Sequence, residues 1–298
     1  MTDQDTLSVL LSLLSALMFA ITFILVKLGG KTSSTLAALW VTLTTNVVFL
    51  WGWSLFSTQG NVSVSMEWRY FALAGVFAPL LGRLFQFQGM ARLGANITTP
   101  LTLTHPVITV ALAIIFLGES IDQAALAGVC LVLIGSILLG AQSGKGRMDS
   151  PTRKPTVYLL LPFAASLSYG VSVIFRKVGI DSGTDAVTAA AVTTTTSWFL
   201  FVMFLAFSRT FPRVRFDTGL IALVLAGVFS SLGPVFLYMA LQAGKTAVVA
   251  PLASTTPFFV LLMTGLFMRE GEILNRWVML GTTTTVFGVG AIVFYGTA

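Results

Sequence analysis

The stretch FAITFILVKLG at residues 19–29 returns at 169–179 as YGVSVIFRKVG, which places Lys27 on Lys177 and Gly29 on Gly179. Other fragments recur at nearly the same offset. LAGVF occurs at 73–77 and again at 225–229, and Pro100, Pro106 and Glu119 return with identical spacing as Pro251, Pro257 and Glu270. Gly128 and Gly135 return as Gly281 and Gly288. Matches in one order at a near-constant offset mark an internal duplication, and missing one would misassign the whole fold.

Composition says what is duplicated. The 298 residues are 56% hydrophobic and 9% charged, with a mean hydropathy of +0.91. A soluble domain is about a quarter charged, whereas apolar runs of about 20 residues cross a bilayer as helices. Breaks at Gly, Pro and charge clusters separate ten such runs. They lie near 7–28, 35–56, 69–90, 95–117, 123–141, 157–178, 186–207, 218–241, 246–268 and 276–296. The predicted fold is an all-α membrane protein with ten transmembrane helices, arranged as two inverted five-helix repeats around a central cavity. The expected units are 1–141 and 156–298, joined by the polar connector QSGKGRMDSPTRKP at 142–155. Five is odd, so the second unit must enter the bilayer upside down relative to the first. Inverted units suit alternating access, because each can take the other's conformation around a shared site. A duplication kept only for packing is the other reading of the same repeat.

Arg83 lies inside a span, so it is set apart from the loop cations. Loops after odd-numbered spans carry twelve cations: Lys27, Lys31, Arg92, Lys145, Arg147, Arg153, Lys154, Arg209, Arg213, Arg215, Arg269 and Arg276. The opposite side is assigned four, Arg69, Arg176, Lys177 and Lys245. By the positive-inside rule the twelve-cation side is cytoplasmic and both termini are outside. The net charge of +6 is scattered over short loops rather than gathered in a nucleic-acid footprint. The expected surroundings are therefore the lipid bilayer, with no nucleic-acid partner, and a monomer is expected. The acidic start MTDQD precedes an apolar run too long for a signal-peptide core, so the first helix is expected to be retained.

Several classes are excluded by what the chain lacks. Cys130 is its one cysteine, so no disulfide forms within the chain. No GxxxxGK[ST] loop is present, which excludes an ATP-driven pump within this chain. One His, one Cys and no mid-span carboxylate supply neither a nucleophile with its base nor a metal-ligand set. No enzyme, metal or cofactor is expected.

The segment HPVITVALAIIFLGESIDQAALAGVCLVLIGSILL at 105–139 resembles the closing part of an EamA-type repeat of the drug/metabolite transporter superfamily. Its marks are a proline early in the fourth helix, a glutamate ending that helix and a glycine-spaced fifth helix. TPFFVLLMTGLFMREGEILNRWVMLGTTTTVFGVGAIV at 256–293 repeats it, with Arg269 where the first copy has Gly118. The resemblance covers essentially the whole chain, and its overall look is most similar to bacterial exporters of aromatic and other amino acids. It implies a secondary transporter of small-molecule substrates, multi-pass in the bacterial inner membrane, exporting amino acids or related metabolites. A multidrug or other metabolite exporter, with proton coupling, is the alternative, and a non-transport membrane subunit is a third reading.

Candidate site residues are the polar groups that fall within spans. Arg83 sits deep in the span beginning near 69, where a charge costs about 3 kcal/mol on insertion scales. No span holds a carboxylate to match it. A substrate carboxylate could supply the charge, held bidentately by the planar guanidinium, with Gln86 one turn further on the same face. Snorkelling to headgroups or bonding to backbone carbonyls is the other reading. On the fourth helix, Thr98, Thr102, His105 and Thr109 share one face, while their counterparts Val249, Ala253, Thr256 and Val260 are mostly apolar. Such a stripe fits a wet cavity, or threonine hydroxyls bonding back to their own helix. Phe19 and Phe23 share a face of the first helix, and Tyr169 is the repeat mate of Phe19. Mid-span Tyr169 and Tyr238 need partners or water for their hydroxyls. The expected substrate site is thus Arg83, Gln86, Thr102, His105, Phe19, Phe23, Tyr169 and Tyr238. Pro100, Pro106, Pro251 and Pro257 each remove a backbone bond and are expected to act as hinges or to shape the cavity. His105 is the mid-span group that titrates near neutral pH, and facilitated export is the simplest mechanism these residues support.

Overall fold

A computed structural model describes residues 3–30, 33–60, 64–93, 98, 101–143, 156–209, 212, 214, 216–267 and 276–295. Pro100, Arg269, Glu270 and most of the 142–155 connector lie outside the described residues. The first two spans are α1 (Asp3–Gly29) and α2 (Thr35–Ser57). The third is interrupted: α3 (Trp68–Gly75) passes through a π-type turn, Val76–Leu81, into α4 (Gly82–Leu93). α5 (His105–Leu117) and α6 (Gln123–Ser143) complete the first half. The second half holds α7 (Leu160–Ile180), α8 (Ala186–Ser208) and α9 (Thr218–Ala243) as spans six to eight. The ninth span is split into α10 (Thr246–Ala253) and α11 (Thr256–Phe267), and α12 (Arg276–Tyr295) is the tenth. Among the described residues, six segments are long and apolar enough to cross a membrane by length and composition alone.

The packing has a two-fold plan. The first span packs on the eighth as the sixth packs on the third. The eighth meets the second as the third meets the seventh, and the first meets the ninth as the sixth meets the fourth. Spans two and seven, four and nine, and five and ten pair with their own mates. Exchanging each span with the one five places on therefore maps the principal pairs onto themselves. With five spans per unit, that exchange inverts one unit against the other across the membrane.

The self-paired seams differ in chemistry. Between spans two and seven the tryptophans reciprocate. Trp51 Nε1 donates to Thr195 Oγ1 at 2.8 Å, and Trp198 Nε1 donates to Thr44 Oγ1 at 3.1 Å. Between α6 and α12 the backbones touch. A methyl at Gly135 would lie 2.7 Å from Gly281 O, and one at Gly288 would lie 2.6 Å from Val132 N. Small residues let membrane helices approach this closely, and the pair packs behind the other spans as the glycine spacing predicts.

The third span departs from the plan, and the departure positions the site. From Gly75 to Gly82 is seven positions, whereas from Gly227 to Gly233 in the equivalent eighth span is six. The π-type turn absorbs the extra residue, as single-residue insertions in helices commonly do. Ala78 there is extended, with φ −141 and ψ 129, immediately before Pro79. A residue before proline is pushed away from the helical region. At the break, neighbouring spans donate to two backbone carbonyls. Ser172 Oγ donates to Ala74 O at 2.9 Å, and Ser197 Oγ donates to Gly75 O at 2.8 Å. α9 carries Pro234 yet runs continuously from Thr218 to Ala243.

One loop assignment needs correcting. Arg176 does not belong with the loop cations: it lies within α7 and is only 7% exposed. The helix runs on to Ile180, and its turn carries Arg176 inward while neighbouring Lys177 reaches Asp181 at 2.7 Å. Removing Arg176 from the sparse side widens the charge asymmetry of the loops.

Candidate functional site

Gly82 opens α4 and lets it approach α7 closely, since a methyl there would lie 2.7 Å from the Tyr169 ring. That approach brings Tyr169 Oη to Gln86, where it donates to Oε1 at 3.0 Å. Arg83 lies within electrostatic reach of the same tyrosine. On the other side of Tyr169 is His105, with ring centroids 5.7 Å apart. The imidazole is held at both nitrogens. Nδ1 faces Thr102 O at 3.1 Å, and Nε2 lies 3.4 Å from Ser254 Oγ. Spans three, four, six and nine thus each contribute a polar side chain to one cluster. Among the described residues, no carboxylate pairs with Arg83 and no acceptor takes a hydrogen bond from it.

Arg83 also lines a recess of about 340 Å³ between α2, the third span and α8. Leu39, Leu43, Leu84, Phe201 and Phe204 make its walls apolar. Its polar side chains are Arg83, Gln88 and Ser197, and Ser197 is already committed to Gly75 O. The recess runs from Leu43 and Pro79, within the spans, towards Leu36, Gln88 and Phe204. All three of those residues lie at span ends on the connector side of the protein.

Of the expected site residues, Arg83, Gln86, His105 and Tyr169 come together. Thr102 is buried, and its hydroxyl donates back to Thr98 O at 2.9 Å, as Thr109 Oγ1 does to His105 O at 3.0 Å. Back-bonding within the helix therefore accounts for these threonines. Phe19 lies over Gly233, where a methyl would meet its ring at 3.0 Å. Phe23 is turned away from the cluster and is 59% exposed. The packed face of α1 runs through Ser12, Ser15, Ala16 and Ala20 instead. Tyr238 is fully buried, shares a hydrogen bond with Thr193 and lies beside Arg176 rather than Arg83. Pro106 and Pro257 each sit at the start of a half-helix, following breaks in the fourth and ninth spans, and Pro251 lies inside α10. Ser172, Ser197, Ser254 and Pro79 were not foreseen. Only the Ala-Pro step inside an apolar run was a readable signal for any of them.

A profile of the EamA-like transporter family matches residues 6–141 and, a second time, residues 156–294. The chain is 22% identical to an uncharacterized transporter of Archaeoglobus fulgidus over 264 residues, 89% of this chain and 90% of that one. It is 35% identical over 69 residues to an uncharacterized protein of Methanocaldococcus jannaschii, a match covering 23% of this chain and 50% of that one. The latter relative is less than half as long as this chain. A solved structure described only as a crystal structure of protein superposes with a TM-score of 0.77 over 97% of both chains, at 14% identity. That similarity concerns the fold alone. The sequence matches make this a multi-pass membrane transporter of small molecules. The chain belongs to the EamA-like transporter family.

Proposed function

We propose that this protein exports small carboxylate-bearing metabolites, aromatic and other neutral amino acids foremost, across the bacterial inner membrane. The observation that carries the reading is Arg83, a cation without a described partner at the wall of a largely apolar recess. A carboxylate would complete it bidentately, and an apolar side chain would fill the volume beside it. The same cation repels lipophilic cations, which argues against drug export.

The protein is sealed on the side opposite the connector, and in facilitated diffusion the substrate gradient sets the net direction. On the side opposite the connector, the Glu119 carboxylate accepts from Thr246 N and Ala247 N, both at 2.8 Å. Lys177 Nζ donates to Leu241 O at 2.7 Å on that same side. The recess instead extends towards the connector side, which the loop charge makes cytoplasmic. A site loaded from the cytoplasm is what an exporter needs. The breaks before Pro106 and Pro257 are the hinges of alternating access, which proceeds by facilitated diffusion in a monomer with both termini outside.

Counterflow in liposomes across a panel of amino acids, other carboxylates and cationic dyes tests this. Accumulation of labelled phenylalanine, competed by neutral amino acids and not by the dyes, is expected. Counterflow driven by the dyes alone would overturn it.

A further inference from the structure

Arg176 is the second arginine inside a span, and the carboxylate-export reading gives it no task. It is only 7% exposed, yet few of its donors are used. Nε lies 3.3 Å from Ser172 Oγ, and the guanidinium carbon sits 5.3 Å from the centroid of the Tyr238 ring. The ring is fixed from both sides. Its hydroxyl bonds with Thr193, and Phe71 meets it edge-on at 5.6 Å. A guanidinium has five N–H donors, and the terminal amines of Arg176 find no acceptor among the described residues. Asp181, one turn beyond, is engaged by Lys177 instead.

Position matters as much as pairing. Tyr169, Ser172 and Arg176 follow i, i+3, i+7 spacing, which is one face of α7. That face is packed against the third span through Gly82, Ala74 O and Phe71. Arg83 lies by the Tyr169 end of the interface and Arg176 at the other end, toward the side opposite the connector. Seven residues of helix separate the two ends by about 10 Å, so the two arginines mark different depths of the interface. The repeat mate of Arg176 is Val26, so the fold does not require a cation at that position.

We infer that Arg176 is a second anion-binding station, which receives the substrate's carboxylate after Arg83 on the way to the side opposite the connector. The inference rests on the reading of Arg83 as the carboxylate-binding residue. In outward passage the anion exchanges the Arg83 guanidinium for that of Arg176. The fixed Tyr238 ring keeps the second guanidinium oriented when the anion is absent.

The test uses p-toluenesulfonate, a permanently charged anion that does not cross the bilayer, and its neutral sulfonamide. The sulfonate is applied to one face of oriented proteoliposomes, and the bilayer-permeant sulfonamide to both, as inhibitors of phenylalanine counterflow. From the face opposite the connector, Arg176→Gln should raise the half-inhibiting concentration of the sulfonate about tenfold, the loss of roughly one charge-assisted pair. The sulfonamide value should stay unchanged, because only the anion uses the guanidinium. From the connector face the same variant should match wild type, and Arg83→Gln should show the reverse pattern. Arg176→Lys keeps the charge and should shift the sulfonate value less, in the same direction. Equal shifts for sulfonate and sulfonamide in both Arg176 variants, or no shift in either, would overturn the second station. An Arg83→Gln variant without sulfonate-selective loss would instead overturn the parent reading.

Discussion

Gly82 lies under the Tyr169 ring where the third span meets the sixth, and Gly233 lies under the Phe19 ring where the eighth meets the first. Further along the same interfaces, Gly179 faces Phe71, and Gly29 faces Leu223. The contacts correspond pair by pair, with ring on glycine and large side chain on glycine. The chemistry does not correspond. Arg83 is matched by Pro234, Gln86 by Leu237, Tyr169 by Phe19 and Arg176 by Val26. Ser172 reaches across to Ala74 O, while its mate Thr22 bonds back to Met18 O of its own helix. The first and eighth spans therefore show that the interface packs well without any charge. The polar groups of the third and sixth sit on an interface whose repeat mate packs without them, which makes them candidates for function rather than for folding.

The same correspondence holds where the third span meets the seventh and the eighth meets the second, so damaging the packing there should be equally harmful in either. Gly75 abuts the Thr193 carbonyl and Gly227 abuts the Thr45 side chain. Gly75→Ala and Gly227→Ala should each cost on the order of 1–3 kcal/mol by overpacking, with transport lost in proportion to folded protein. Thermal unfolding of the purified variants checks this. A large loss for one variant and none for the other would break the symmetry argument.

Chemistry, by contrast, should be one-sided. Tyr169→Phe gives the third–sixth interface the ring of its mate and removes the hydrogen bond to Gln86, worth about 1 kcal/mol. Transport should fall about fivefold while the unfolding temperature barely moves. The smallest effect is expected at His105, whose mate is Thr256. No carboxylate in any span relays protons to it, so His105→Gln should retain at least a fifth or so of wild-type transport, equivalent to losing about 1 kcal/mol. Counterflow should also need no imposed pH gradient. Strict dependence on a gradient, abolished in that variant, would make His105 a coupling residue.

The spans, their duplication and the glycine seam of α6 and α12 were legible because hydropathy and repeat spacing report them directly. So was the Arg83, Gln86, Tyr169 and His105 cluster, since each is a polar group where lipid or packing would favour an apolar one. The rest depended on helix rotation, which spacing alone does not fix. The extra residue before Gly82 is taken up at Ala78–Pro79, and hydropathy is blind to that change of phase. Phe23 shares a nominal face with Phe19, yet the real packed stripe of α1 runs beside it. Arg176 looked like a loop residue because Lys177 and Asp181 adjoin it, although only those two meet each other. Tyr238 was expected in the substrate site with Arg83, whereas its hydroxyl bonds with Thr193 and its ring lies beside Arg176.

Arg83 carries the central claim, and acid–amide pairs test it most directly. Because no ion pair among the described residues is broken, Arg83→Gln should fold as wild type does. Its transport of phenylalanine should fall at least about tenfold, the equivalent of roughly 1.4 kcal/mol. Phenylalaninamide, which lacks the carboxylate, should lose far less, and Arg83→Lys should recover only part of the acid's transport because an ammonium cannot form the bidentate pair. Equal losses for acid and amide in both variants would contradict the account and make Arg83 a structural residue.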